Sequence, residues 1–168
     1  MLRGPPASLS PSQDGAVVVR FATSADTLGL TQLVQEAYES LADDRGLIGD
    51  SAPTAGQLRH MLEVCRTDTR CLISVAERDG VLVGFGELWL LPDLIAGGEL
   101  ALLRTLYVGP DERLLGIGSL ILDQLVEEAM TRHAKGLQVT CGIENKEALP
   151  FCERRGLHAT SMLLTRSL

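Results

Sequence analysis

The sequence predicts an α/β domain built on a mixed sheet with helices on its faces, and three observations carry that prediction. The Asp79-Gly80 pair separates two β-type runs, and Asp-Gly supplies positive φ cheaply, so an antiparallel hairpin is expected there. A long amphipathic stretch from Gly116 to about Ala134 stands between the apolar runs Glu99–Val108 and Leu137–Cys141. A strand, helix and strand in that order need a parallel crossover. Hairpins and a crossover in one chain give a mixed sheet.

Each element has its own justification. Val17, Val18 and Val19 make Ala16–Phe21 a first strand. Thr23 followed three residues later by Asp26 starts a helix, the Asp standing where a capping box usually has Glu. Leu30, Leu33, Val34, Ala37, Tyr38 and Leu41 then recur at helical spacing. Asp43 to Pro53 is a polar connection, and Thr54 with Gln57 opens a second helix whose apolar face is Leu58, Met61, Leu62 and Cys65. Cys71–Glu77 and Val81–Leu91 are the hairpin arms, Pro92–Gly98 a loop and Glu99–Val108 the next strand. In the long helix Ile117, Ile121, Leu122, Leu125, Val126 and Ala129 form the buried face, against Asp123, Gln124, Glu127, Glu128 and Thr131. Leu137–Cys141 is a strand, Lys146–Arg155 a short helix stopped by Gly156, and His158–Thr165 a closing strand.

Composition narrows the function. The chain has 168 residues, 45% apolar and 22% charged, enough for one domain with its own core. Residues 1–15 hold three prolines and no apolar h-region, so they read as a flexible tail or an upstream-start product, and 16–168 as the single domain. A formal charge of −7 disfavours nucleic acid. No uncharged apolar run approaches the ~20 residues of a membrane helix. Cys65, Cys71, Cys141 and Cys152 form no C-x-x-C pair and have no histidine at finger spacing, so reduced thiols in a cytoplasmic protein and no metal are expected.

The chemistry concentrates in Leu106–Leu120. A strand ends, a turn follows, and a helix begins at Gly116 and Gly118. A helix N-terminus offers unpaired N–H groups and the positive end of the macrodipole. The two glycines remove Cβ atoms where a ligand would approach, and Arg113 adds positive charge. Together they suit a pyrophosphate. The stretch is neither a Rossmann fingerprint, since Ile121 stands where the third Gly would be, nor a P-loop, since no G-K-[ST] follows.

Arg113-Leu114-Leu115-Gly116-Ile117-Gly118 resembles the R/Q-x-x-G-x-G/A motif of the GNAT superfamily of acyl-CoA-dependent N-acetyltransferases. Leu106-Tyr107-Val108 with Pro110 resembles that family's preceding strand. Asn145, Ala148, Phe151 and Gly156 resemble its N-x-x-A-x-x-F-Y-x-x-x-G-F helix, and Arg20 to Asp26 its opening. The resemblance implies a mostly antiparallel sheet whose parallel strand pair splays apart to admit pantetheine. It implies acetyl-CoA as co-substrate, with Leu106, Tyr107 and Val108 along the arm, Arg113, Leu114, Gly116, Gly118 and Ser119 at the pyrophosphate, and Asn145 bonding pantetheine. Asn145 is equally suited to cap the last helix.

The resemblance also implies transfer to a primary amine by direct attack. Where many relatives have a proton-donating Tyr, this chain has Cys152, a candidate general acid or a packing thiol. Glu99 is the first candidate base and Glu87 the second. Asp43, Asp44 and Asp50, in a connection that often shapes the acceptor site, suit a cationic amine on a small molecule or peptide. A homodimer would cover the terminal sheet edge. The missing Tyr keeps an alternative open: an acyl-CoA-binding sensor or partner subunit with weak or no transfer.

Overall fold

The structure, a computed structural model, describes residues 15–41, 52–142 and 145–161. In chain order it contains β1 (Val17–Phe21), α1 (Thr27–Leu41), α2 (Ala55–Thr67), β2 (Cys71–Arg78) and β3 (Val81–Asp93), then β4 (Gly98–Val108), α3 (Ile117–Thr131), β5 (Leu137–Val139) and α4 (Ala148–Arg154). Single 3₁₀ turns at Ser24–Asp26 and Pro110–Glu112 precede α1 and α3. One sheet in the order β1-β2-β3-β4-β5 runs through the domain. The first four strands pair antiparallel and β4–β5 is parallel.

Local chemistry explains the ends of the elements. Asp79 (φ 51°) and Gly80 (φ 79°) turn the β2–β3 hairpin as the Asp-Gly pair predicts. The Thr23 amide and hydroxyl both donate to the Asp26 carboxylate, at 2.7 and 3.0 Å. Thr54 and Gln57 cap α2 reciprocally. Gly156 (φ 78°) ends α4, with the Leu157 amide reaching back to the Cys152 carbonyl at 3.0 Å, a Schellman closure.

Two cores sandwich the sheet. Leu72, Leu88, Leu90 and Leu103 pack on one face beneath Ile117, Ile121 and Leu125 of α3. Val75, Phe85 and Tyr107 pack on the other beneath Leu30, Leu33 and Ala37 of α1, with α2 beside α1 and β2. The α3 core needs a glycine in β3: a Cβ on Gly86 would lie 2.7 Å from Ile121 Cγ2 and 2.8 Å from Leu125 Cδ1. No described helix is long and apolar enough to cross a membrane.

Several boundaries differ from expectation. β3 runs on to Asp93 and β4 starts at Gly98, so the Pro92–Gly98 loop shrinks to a tight turn. α3 ends at Thr131 and β5 at Val139. Gln124, placed by pattern on the solvated face of α3, is half-buried and accepts a 2.5 Å hydrogen bond from the fully buried Ser74 hydroxyl. His158–Ser161 are not strand, and 162–168 lie outside the described residues. So do residues 1–14 and the acidic connection bearing Asp43, Asp44 and Asp50.

Candidate active site: a cleft between parted strands

The site originates in one surplus residue. Glu87 of β3 pairs with Thr105 of β4, but the next residue, Leu88, pairs with Leu103. Arg104 is therefore a β-bulge, and a bulge bends and twists its strand. The bend falls where β4 leaves β5, since their pairing stops at Leu103 and Val139. Beyond it a cleft of about 790 Å³ opens, bounded by Leu103, Thr105, Leu106 and Val108 on one side and Val139, Thr140 and Cys141 on the other. Its floor continues to Gly116, Gly118 and Ser119 at the start of α3, and to Asn145, Phe151 and Cys152.

The backbone of β4 supplies hydrogen-bonding groups to this cleft. The Gly109 amide donates to Val83 of β3 at 3.0 Å. Antiparallel strands turn alternate residues toward alternate neighbours, so Val108 and Leu106 direct their N–H and C=O groups away from β3, toward the gap. The Val108 carbonyl is taken: Arg113 Nε donates to it at 3.1 Å. The Tyr107 side chain turns the other way, into the α1 core, and its hydroxyl donates to Glu36 at 2.8 Å. Burial and that bond push the Tyr107 phenol up to about 12.

The turn into α3 is tightly curled. Leu114 (φ 64°) and Gly116 (φ 82°) are both left-handed, and Leu114 is fully exposed. A non-glycine residue held there costs about 1–3 kcal/mol, a strain that concentrates at ligand sites. The amides of Leu114, Leu115, Gly116, Ile117 and Gly118 have no acceptor among the described residues, whereas the Ser119 amide bonds the Gly116 carbonyl at 3.0 Å. A Cβ on Gly116 would meet nothing within 4 Å, and one on Gly118 only ordinary contacts, the nearest at 3.7 Å. The mouth of the helix is thus bare backbone.

Arg113 does not extend into the cradle as a free charge. Its guanidinium lies 5.9 Å from the Tyr107 ring, and Nη2 donates to Ser40 at 3.3 Å. Asn145 Oδ1 accepts from the amides of Glu147 (3.2 Å) and Ala148 (2.9 Å), which caps α4 and leaves the carboxamide NH₂ to donate elsewhere. Cys152 lines the cleft at 8% exposure, and burial holds its thiol above the ordinary range.

The two carboxylates singled out by sequence lie elsewhere. Glu99 pairs with Pro92 at the closed end of β4, and the β4–β5 ladder stands between it and the cleft. Seven residues of strand put it about 23 Å from Leu106. The tight turn beside it is equally remote, so the expected base does not meet the cleft. Glu87 faces the α1 side and accepts from Trp89 Nε1 (2.7 Å) and the Thr105 hydroxyl (3.2 Å). Sequence reasoning missed Glu36, Ser40 and the Arg104 bulge. The first two share one side of α1 at i, i+4 spacing, but nothing local marks their approach to Arg113 and Tyr107.

A sheet parted between parallel strands, with bare amides at the mouth of the following helix, defines an α/β protein with a long cleft that ends on backbone N–H groups. The acetyltransferase (GNAT) family model matches residues 31–157, and the chain belongs to that family. A stretch of 85 residues, 49% of the chain, is 33% identical to an uncharacterised N-acetyltransferase of Methanocaldococcus jannaschii, of which it spans only 37%. Among solved structures, a ribosomal-protein-alanine N-acetyltransferase from Brucella melitensis superposes with a TM-score of 0.72 at 22% identity, covering 90% of this chain and 99% of that one. An aminoglycoside N-acetyltransferase in complex with CoA superposes with a TM-score of 0.77 at 13% identity, covering 95% and 99%. At these identities the structures speak for the fold.

Proposed function

We propose that this protein transfers the acetyl group of acetyl-CoA to a primary amine by direct attack, without an acyl-enzyme. The observation that carries the reading is the continuous cleft from the parted β4–β5 pair to the unpaired amides of the Leu114–Gly118 turn. A pyrophosphate suits those amides because several N–H dipoles and the positive end of α3 converge there without side chains in the way. The Ser119 amide is already used, so Ser119 contributes its side chain or its position. Pantetheine carries amides of its own and suits the free N–H and C=O groups of Leu106 and the Asn145 carboxamide.

Acyl transfer also needs a polarised carbonyl, a deprotonated amine and a protonated leaving thiolate. The Leu106 and Val108 amides suit the first need. Cys152 suits the third, because its raised pKa keeps the thiol protonated at neutral pH. No protein base is assigned. Glu112 and Glu147, the carboxylates lining the cleft among the described residues, both face arginines, Arg78 at 3.0 Å and Arg113 at 3.8 Å. The amine's proton is therefore assigned to water at the open edge. A cationic acceptor accords with the net charge of −7.

The test is thiol release from acetyl-CoA across a panel of amines, polyamines and peptide N-termini, alongside direct coenzyme binding. Gly118→Glu places bulk and negative charge at the turn where a Cβ itself fits, so coenzyme binding should vanish while the unfolding curve stays in place. Unchanged affinity would remove the site. Binding without turnover on any amine, in wild type and in Cys152→Tyr, would instead favour the sensor reading, which the Cys in place of Tyr supports.

A further inference from the structure

The spacing of the cysteines gives no sign of a metal site, yet the fold brings two of them together beside a carboxylate. Cys65 lies near the C-terminus of α2 and Cys71 is the first residue of β2. Glu87 enters from β3: it pairs with Ile73, two residues beyond Cys71 on the same face, which makes it a diagonal neighbour of Cys71. Both thiols are free and buried. The two Sγ atoms and a Glu87 carboxylate oxygen all lie within 4.8 Å of one another.

We propose that Cys65, Cys71 and Glu87 form a binding site for a thiophilic divalent cation, Zn²⁺ being the best match. Three protein ligands of type S, S and O suit tetrahedral zinc with one open position. Zinc–sulfur bonds of about 2.3 Å at tetrahedral angles separate two sulfurs by about 3.8 Å, so the observed cluster needs at most a small contraction. A fourth ligand has room. Cys65 and Cys71 both border a second cavity of about 150 Å³, between Leu62 and Ile73, large enough to seat a water on the ion.

Binding balances as two thiols plus Zn²⁺ giving a zinc dithiolate and two released protons, with no electron transferred. Trp89 and Thr105 orient the Glu87 carboxylate by donating to its two oxygens, and each oxygen keeps a lone pair for an ion. Loaded, the site would tie the end of α2 to two strands of the sheet. It would also fix Glu87, whose neighbour across the ladder, Thr105, borders the acetyl-CoA cleft. The site lies on the opposite face of the sheet from the α3 core and does not depend on the transferase reading.

Full-length protein kept reduced with a phosphine should bind one equivalent of Zn²⁺ and release about two protons on doing so. X-ray absorption at the zinc edge should then give two sulfur neighbours near 2.3 Å, with oxygen neighbours at about 2.0–2.2 Å. Nitrogen and oxygen neighbours alone, or three or more sulfurs, would overturn the proposal, as would failure to bind. Co²⁺ should give a thiolate charge-transfer band that survives in Cys141→Ser and disappears in Cys65→Ser. Should Cys65→Ser fail to fold, Glu87→Gln serves instead, with zinc affinity expected to fall about tenfold or more; undiminished affinity would count against the site.

Discussion

Arg113 Nε donates to the carbonyl of Val108 at 3.1 Å, so the turn into α3 is fastened to the last residue of β4. The same guanidinium lies against the Tyr107 ring and reaches Ser40 on α1. One side chain thereby links the strand, the turn and the first helix. Its guanidinium holds the turn with the bare amides in place.

Arg113→Ala should therefore weaken coenzyme binding by about five- to thirtyfold, the equivalent of one charge-assisted hydrogen bond of about 1–2 kcal/mol. Arg113→Lys should not restore it, because an ammonium lacks the planar fork that bonds a carbonyl while stacking on a ring. Isothermal titration with CoA measures both. Full rescue by Lys would mean that charge alone matters.

Cys152→Ala should lower kcat by about 10²-fold or more if the thiol protonates the leaving thiolate. Coenzyme affinity should change little, because the backbone contacts are retained. The pH profile carries the sign: burial raises the thiol pKa, so activity dependent on its protonated form should persist through neutrality and fall only on the alkaline side. An alanine variant with unchanged kcat would reduce Cys152 to a packing residue.

Asp26 gives a prediction about stability. Arg20 binds it through both guanidinium ends at 2.8 Å, and together with the Thr23 amide holds its carboxyl well below the ordinary range. A depressed folded-state pKa contributes stability that is present above the unfolded value, near ~3.9, and is lost as pH falls toward the folded one. Asp26→Asn should cost about 1–2 kcal/mol at neutral pH, since it removes the two charge-assisted bonds from Arg20 and leaves that guanidinium with Glu77 as its acidic partner at 2.6 Å. The gap in melting temperature from wild type should narrow between about pH 5 and about pH 2. A constant gap across that window would show that the pair contributes no acid sensitivity.

Gly86→Ala should destabilise by about 1–3 kcal/mol through overpacking against Ile121 and Leu125. Leu125→Ala in the same chain should recover part of that loss relative to the sum of the single variants. Denaturant unfolding of the four proteins measures the coupling. Strict additivity would mean that the helix shifts freely away from the sheet.

Much of this was legible in the sequence because the responsible signals are local. Asp79-Gly80, Thr54 with Gln57 and the terminal Gly156 act within a few residues of themselves, and all three behave as read. The turn from Leu106 to Ser119 was legible for the same reason: strand end, two glycines and helix start are contiguous. What escaped is set by register. The placement of Glu99 depends on how far the β3–β4 hairpin extends, and the Cys65–Cys71–Glu87 cluster on a diagonal across two strands. Gln124 looked solvated because its partner, Ser74, lies fifty residues away in another element.

The Arg104 bulge keeps the last stretch of β4 the right way round. Side chains alternate along a strand, so one extra residue taken into regular register would turn every later one over. Pairing Arg104 opposite Glu87 would swing Tyr107 beneath α3, point Leu106 at α1 and return to β3 the polar edges now offered to the gap. By standing outside the ladder Arg104 leaves Thr105 opposite Glu87 instead, so the strand bends while the wall of the furrow keeps its facing.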